Sequence, residues 1–373
     1  MPVTPNTLSC SYRFLALNWA PPDCSQSPSS DWYVNRIDDA FTTLAANNFK
    51  LVHSFDMSYT ASACSIGWNT TFMASMISRY ATNSAAYLWD NDLLVSTYAG
   101  EGYGNDFFLE LKSVLNSEGL PITLSPALTT YSVTAQTQDP TSTFNGMLTD
   151  YSALDGFLNS VSPWQFKDLN DGGYDSWAEY SDVLFPNRWD QAISTVKPDI
   201  VEIITWNDFP ESHYIRDLPA TSGPASTQLG DTGNYVYGQT HAAWRIMVTD
   251  DRVVFWYRIH PKGVSCNGGT NNNGVVRNAA FPADAVFAWA LVTDDSTISM
   301  TVGSNENWTF DAKAGTPTLN MVPFPSGIDN AYPTVTVGRG GTMLQTGTGS
   351  VAITQACSYE NYNPVVALAG PSL

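Results

Sequence analysis

Short apolar runs that turn polar at their far ends recur along the first two-thirds of the chain. Phe14-Leu15-Ala16-Leu17-Asn18-Trp19 breaks at Pro21-Pro22, Phe49 to Met57 carries Asp56 near its end, and Leu93 to Glu101 finishes in Tyr98, Gly100 and Glu101. Leu120 to Leu128, Asp155 to Trp164 and Ile200 to Ile204 repeat the pattern. Runs this short and apolar, bounded by turn formers, read as strands buried on both faces. Between them apolar residues recur at helical spacing. Val34, Ile37, Phe41 and Leu44 follow an N-capping Asp31; Met73 to Tyr80, Asn105 to Glu118, Phe185 to Ser194 and Gln239 to Val248 follow in turn. Val253 to His260 is read as a further strand of this series.

Strand and helix in alternation imply parallel strands joined by right-handed crossovers. Polar residues gathered at the C-terminal ends of about seven strands point to an α/β fold of the (β/α)8, TIM-like barrel kind. Met1 to Arg13 offers no strand and helix, so the barrel is expected to lack its first β/α unit. Beyond His260 the period changes. A Gly/Asn stretch within Lys262 to Asn278 marks a boundary. Short strands follow at Val286 to Val292, Thr297 to Val302, Trp308 to Ala312, Thr318 to Pro323, Thr334 to Val337, Val351 to Thr354 and Pro364 to Ala369. The expected organisation is a barrel over residues 1–262 and a β-sandwich over 263–373, the latter with a packing role.

Composition narrows the function. A net charge of -19 argues against a nucleic-acid partner, because phosphate backbones are held by Lys and Arg. No stretch has the apolar length of a membrane span. Twelve Trp and 18 Tyr exceed what packing needs and suit a ligand surface that offers flat apolar area with a polar handle. Cys10, Cys24, Cys64, Cys266 and Cys357 form no CxxC pair, which disfavours zinc ligation. We pair Cys24 with Cys64 and Cys266 with Cys357, five buried free thiols being the alternative. The sequons at Asn69 and Asn307 fit a secretory route, and a secreted or cell-wall location is expected although the chain opens without a leader. A monomer is expected.

The richest chemistry follows Ile200 to Ile204: Thr205-Trp206-Asn207-Asp208-Phe209-Pro210-Glu211-Ser212-His213-Tyr214. With Asn18, Asp56, Tyr98, Glu101, Ser162 and Trp164 it would line the C-terminal mouth of a barrel. No Ser-His-Asp or Cys-His set is evident, and Gly100-Glu101-Gly102-Tyr103-Gly104 lacks the Lys of a phosphate cradle. Paired carboxylates among aromatics point to glycoside hydrolysis, where one acid protonates the leaving oxygen and a second carboxylate serves the opposite face. The same carboxylates with His213 could ligate a metal, the chemical rival. The quieter readings are helix or turn capping for Asp208, Glu211 and Asp56, a solvated loop charge for Glu101, and core packing for His53, Trp164 and Trp206.

These residues resemble glycoside hydrolase family 71, the fungal α-1,3-glucanases or mutanases. The resemblance rests on Phe14 to Asn18, Ser54-Phe55-Asp56-Met57, Val95 to Tyr98, Ser162-Pro163-Trp164, Arg188-Trp189 and above all Val201 to Asp208 with Glu211 to Ile215. It implies an endo-acting, inverting hydrolase of α-1,3-glucan, with no cofactor or metal, whose catalytic acids are Asp56, Asp208 and Glu211. Asn18, Tyr98, Glu101, Trp164, Trp206, Asn207, His213 and Tyr214 are the expected substrate-binding residues. Glu211 is expected as the acid, Asp208 as the base and Asp56 as an orienting charge. Phe209-Pro210 stands where the family has Tyr-Gly, and Arg216 where it has Gly. With the absent first unit, these departures leave a glucan-binding protein without turnover as the alternative.

Overall fold

Four of the apolar runs lie side by side as parallel strands. The structure, a computed structural model, describes residues 14–21, 31–58, 67–130, 139–169, 176–219, 229–246, 251–268, 276–303 and 307–370. Cys10, Cys24, Cys64 and the segment before Phe14 lie outside the described residues. Strand β1 (Phe14–Trp19) pairs with β2 (Lys50–Asp56). Strand β3 (Leu88–Trp89) lies antiparallel on β4 (Asp92–Tyr98), which runs parallel to β2 and to β5 (Ile122–Leu124). The parallel register sets Asn18 beside Ser54 and Asp56 beside Tyr98, so three expected site residues share one end of the sheet.

Helices α1 (Asp31–Ala46), α2 (Thr70–Tyr80) and α3 (Gly104–Ser117) follow β1, β2 and β4. Their apolar stripes bury Ile37 and Phe41, Met73 and Ile77, and Phe108, Leu111 and Leu115 in one core with Leu51, Phe55 and Leu124. Each such side chain contributes roughly 1.5–3 kcal/mol on burial. Asn69 of the first sequon caps α2, accepting a hydrogen bond from the Phe72 amide at 2.8 Å. Helix α4 (Pro140–Asp150) follows. Strand β6 (Asn159–Val161) then pairs with β9 (Val201–Ile203) apart from the larger sheet, and β7 (Phe166–Lys167) pairs antiparallel with β8 (Trp177–Ala178). Chain contacts divide the protein into two compact units: one holds Ser11–Ser160 and Gln191–Glu202, the other Val161–Asp190 and Ile203–Leu373.

The second unit contains two four-stranded antiparallel sheets. In one, β10 (Arg252–Tyr257) lies between β11 (Ala285–Leu291) and β17 (Val365–Ala369), with β14 (Thr318–Pro323) beyond β11. The other runs β13 (Asn307–Ala312), β12 (Ser296–Thr301), β15 (Thr334–Arg339), β16 (Thr342–Thr348). Residues of both sheets, among them Val253, Phe255, Val286, Ile298, Met300, Val335 and Val337, form one core. The Cys266–Cys357 disulfide is present, as paired from the sequence.

Three expectations change. Val253 to His260 belongs to the antiparallel sheet rather than the parallel series; its centre is buried on both faces, and such a run has the same composition in either setting. Gln239 to Val248 is helical only as a 3-10 turn at Ala242–Ile246 among its described residues. Val351 to Thr354 contributes a single bridge, Ile353 to Ala331.

Candidate active site

Strand β9 is followed directly by the acidic loop, which the chain closes on itself. The Ile204 amide donates to the Val161 carbonyl at 3.0 Å, a last rung beside β6. Thr205 then donates to the His213 carbonyl at 2.9 Å and accepts from the Ile215 amide at 3.1 Å, and Arg216 donates to Trp206 at 3.0 Å. This neck carries Asn207 to Ser212. Inside the loop, Thr205 Oγ1 accepts from the Asp208 amide at 2.8 Å and Asp208 Oδ1 from the Glu211 amide at 3.0 Å, the local side-chain-to-backbone bonding that Thr and Asp favour in turns. Ser212, wholly buried, takes a φ of 62°, which reverses the chain so that His213 points back beneath the two acids.

His213 lies between the carboxylates. Its Nε2 is 3.0 Å from Asp208 Oδ2 and 3.4 Å from Glu211 Oε2, while its side chain is 6% exposed against 35% and 39% for the acids. Among the described residues neither contact is aligned as a hydrogen bond, so the contact is an ion pair shared by two acceptors, and Nδ1 has no hydrogen-bond partner there either. Burial pulls the His213 pKa down, but the adjoining Asp208 and Glu211 outweigh it and raise it to about 9. Burial likewise works to raise Asp208, and His213, the Glu211 amide and the charge of Lys167 leave it below the usual carboxylate value. Near neutrality the loop therefore presents an imidazolium between two acids. One oxygen from each acid and Nε2 all lie within 4.8 Å of one another. That is closer than the roughly 6.5–9.5 Å of an inverting acid and base. Asp208 and Glu211 are thus held side by side in one loop.

Behind the acids the loop is supported by distant chain. Tyr214, fully buried, stacks on His241 with ring centroids 4.0 Å apart, donates from its hydroxyl to the Gln239 carbonyl at 2.5 Å and accepts from Asn363 Nδ2 at 3.1 Å. His241 contacts the Tyr214 and Pro364 carbonyls, and Tyr235 donates to the Pro210 carbonyl at 2.7 Å. Trp164 is buried and donates to the Tyr362 carbonyl, so Trp164 and Tyr214 back the loop rather than face solvent. Trp206 is 42% exposed and Asn207 is exposed beside the acids. The two departures noted above meet each other: the Arg216 guanidinium lies 5.8 Å from the centre of the Phe209 ring. Sequence reasoning missed Asn363, Tyr235, His241 and Lys167. Asn361-Tyr362-Asn363, a polar run immediately before a buried strand, is the signal that could have found the first.

The remaining expected residues belong to the other unit. Asn18 accepts from Ser54 at 3.0 Å at the end of β1. Asp56 accepts from the Ser58 amide and hydroxyl at 3.1 and 2.6 Å, while its carbonyl holds Trp68 Nε1. Tyr98 is exposed at the end of β4. Glu101 accepts from the Thr129 and Thr130 amides and so ties down the turn after β5.

Paired carboxylates with an exposed indole at the end of a strand, without a nucleophile and base set beside them, are the equipment of a glycoside hydrolase. Residues 16–150 and 136–372 match the sequence model described as Glycosyl hydrolase family 71, and the chain belongs to that family. It is 29% identical over 379 residues to Glucan endo-1,3-alpha-glucosidase agn1 of Schizosaccharomyces pombe, covering 90% of this chain and 84% of the relative. It is 26% identical over 355 residues to Mutanase Pc12g07500 of Penicillium rubens, covering 86% of this chain and 75% of the relative.

Proposed function

We propose that the protein is an endo-acting hydrolase of α-1,3-glucan, the substrate class named for its relatives, and that it works outside the cell or in the wall. The observation that carries the reading is the loop after β9, where Asp208 and Glu211 are held beside one another over the buried His213 ring. In this reading Glu211 gives a proton to the glycosidic oxygen. Asp208, ionised, stabilises the positive charge that develops at the anomeric carbon, an interaction stronger in the transition state than in bound substrate. Asp208 is also the expected base for water in an inverting reaction, and Asp56, on the other unit, is the third acid expected to be needed for turnover. Trp206 offers a flat face for a sugar ring and Asn207 a donor and acceptor for its hydroxyls. A (β/α) barrel short of its first unit, followed by a β-sandwich, is the finer architecture that goes with this reading.

The test is incubation with insoluble α-1,3-glucan. Release of reducing ends, with the product anomer read by NMR immediately after cleavage, is expected from the wild type. It should be lost in Glu211→Gln, Asp208→Asn and Asp56→Asn. Binding to the polymer without release would favour the glucan-binding alternative.

A further inference from the structure

The acidic loop has the ligand set and spacing of a small transition-metal site, although it is built for proton chemistry. We propose that Asp208, Glu211 and His213 bind one zinc-class divalent cation, and that its binding blocks hydrolysis by occupying both acids. The inhibitory half of the proposal rests on the reading of Asp208 and Glu211 as working acids; the binding half does not.

The geometry carries the argument. Zinc bound to imidazole nitrogen and carboxylate oxygen at about 2.0–2.2 Å in a tetrahedron spaces its ligands about 3.3–3.5 Å apart. Nε2 is already 3.0 and 3.4 Å from its two oxygen partners, so two edges of that tetrahedron approximate the required length. The third edge, between the acids, is bounded by 4.8 Å and closes by small rotations of two side chains about a third exposed. Nε2 is buried and faces both carboxylates, so a cation that displaces its proton takes up the same position between them. The open side leaves the fourth position to water.

The chemistry selects the class of ion. Calcium and magnesium seek six or more oxygens and gain little from imidazole; zinc, with four ligands and an affinity for nitrogen, fits one histidine and two acids. Among the described residues Nδ1 makes no hydrogen bond to a carboxylate or carbonyl, and such support typically adds about 10–100-fold in affinity. The site is thus suited to a reversible inhibitor more than to a resident ion. Competing imidazoles are few. Of the four histidines, His53 and His241 are buried among aromatic rings and His260 Nδ1 is engaged with the Thr354 carbonyl.

The experiment is calorimetric titration of zinc chloride into the chelator-treated full-length chain at neutral pH, paired with reducing-end assays at the same zinc concentrations. One zinc per chain is expected in the wild type and in Asp56→Asn. Binding should be at least about tenfold weaker in His213→Ala and in Glu211→Gln. The Glu211→Gln change is a partly exposed, near-isosteric one that retains the fold if the first variant does not, with circular dichroism as the check. Wild-type activity should fall over the same zinc range and return with chelator. Zinc binding that His213→Ala and Glu211→Gln leave unchanged overturns the proposal, as does activity that persists when the site is filled. A protein that binds zinc as expected but never releases sugar overturns the hydrolase reading and leaves the metal site standing.

Discussion

The imidazolium between Asp208 and Glu211 makes folding stability depend on pH in a defined window. The perturbation is a rise in pH, with His213→Gln as reference. His213 has a folded pKa of about 9 against an ordinary value of 6.5, so its charged form is favoured by folding. A group raised in this way contributes fully below pH 6.5 and loses its contribution as pH climbs through about 9. At about 1.36 kcal/mol per pKa unit the shift is worth about 3.4 kcal/mol as a ceiling. Because the two carboxylates are a third exposed, solvent screening reduces this to about 1.5–2 kcal/mol. The Asp208 shift describes the same contact seen from the acid and is not added; its loss appears only as pH falls below 3.8 through the folded value.

No other described histidine blurs the window. Burial lowers His53 to about 4 and His241 to about 3, and also lowers His260. Urea denaturation in chelator-treated buffer, from about pH 6 to about pH 10, should therefore show the wild type losing stability relative to His213→Gln. A difference between the two proteins that stays flat from pH 6.5 to 9, or widens in favour of the wild type, would refute the argument.

Three further outcomes are expected. Glu211→Gln and Asp208→Asn should each cut turnover of α-1,3-glucan by about 10²–10⁴-fold while leaving the far-ultraviolet circular dichroism unchanged. Ser212→Gly should stabilise the protein by about 1 kcal/mol in thermal or urea unfolding, because Ser212 holds φ at 62° with a buried hydroxyl that has no hydrogen-bond partner among the described residues; Ser212→Val should destabilise it. Cys357→Ser, which opens the disulfide linking residues 91 apart, should cost about 4–5 kcal/mol by loop-closure entropy and lower the melting temperature.

The regular part of the α/β unit was legible because its signals are local. Ile37, Phe41 and Leu44 recur with the helical period, and the β2 and β4 runs are too short and too apolar to be anything but buried strands. Strand β10 was legible as a strand but not in its partners, since periodicity records burial and not strand direction. Strand β16 was missed because Thr342-Met343-Leu344-Gln345-Thr346-Gly347-Thr348 is largely exposed and offers no alternating apolar face. At the site, the spacing of Asp208 and Glu211 made their proximity readable. The position of His213 was not, because it depends on the left-handed turn at Ser212, a conformation Ser seldom adopts. The partners of Tyr214 could not be read either: Asn363 is 149 residues away, and no local pattern couples positions so far apart.

That separation has a bearing on how the protein comes into being. Part of what steadies the acids from behind arrives late: Tyr362 receives Trp164, Asn363 reaches Tyr214 and the Tyr235 carbonyl, and the Pro364 carbonyl meets His241. During synthesis, Asp208 and Glu211 emerge from the ribosome more than a hundred residues before this part of their scaffolding does. A nascent or prematurely terminated chain that stops short of residue 361 thus has both acids on a loop that lacks its C-terminal supports, and its full rigidity is deferred until translation is nearly finished.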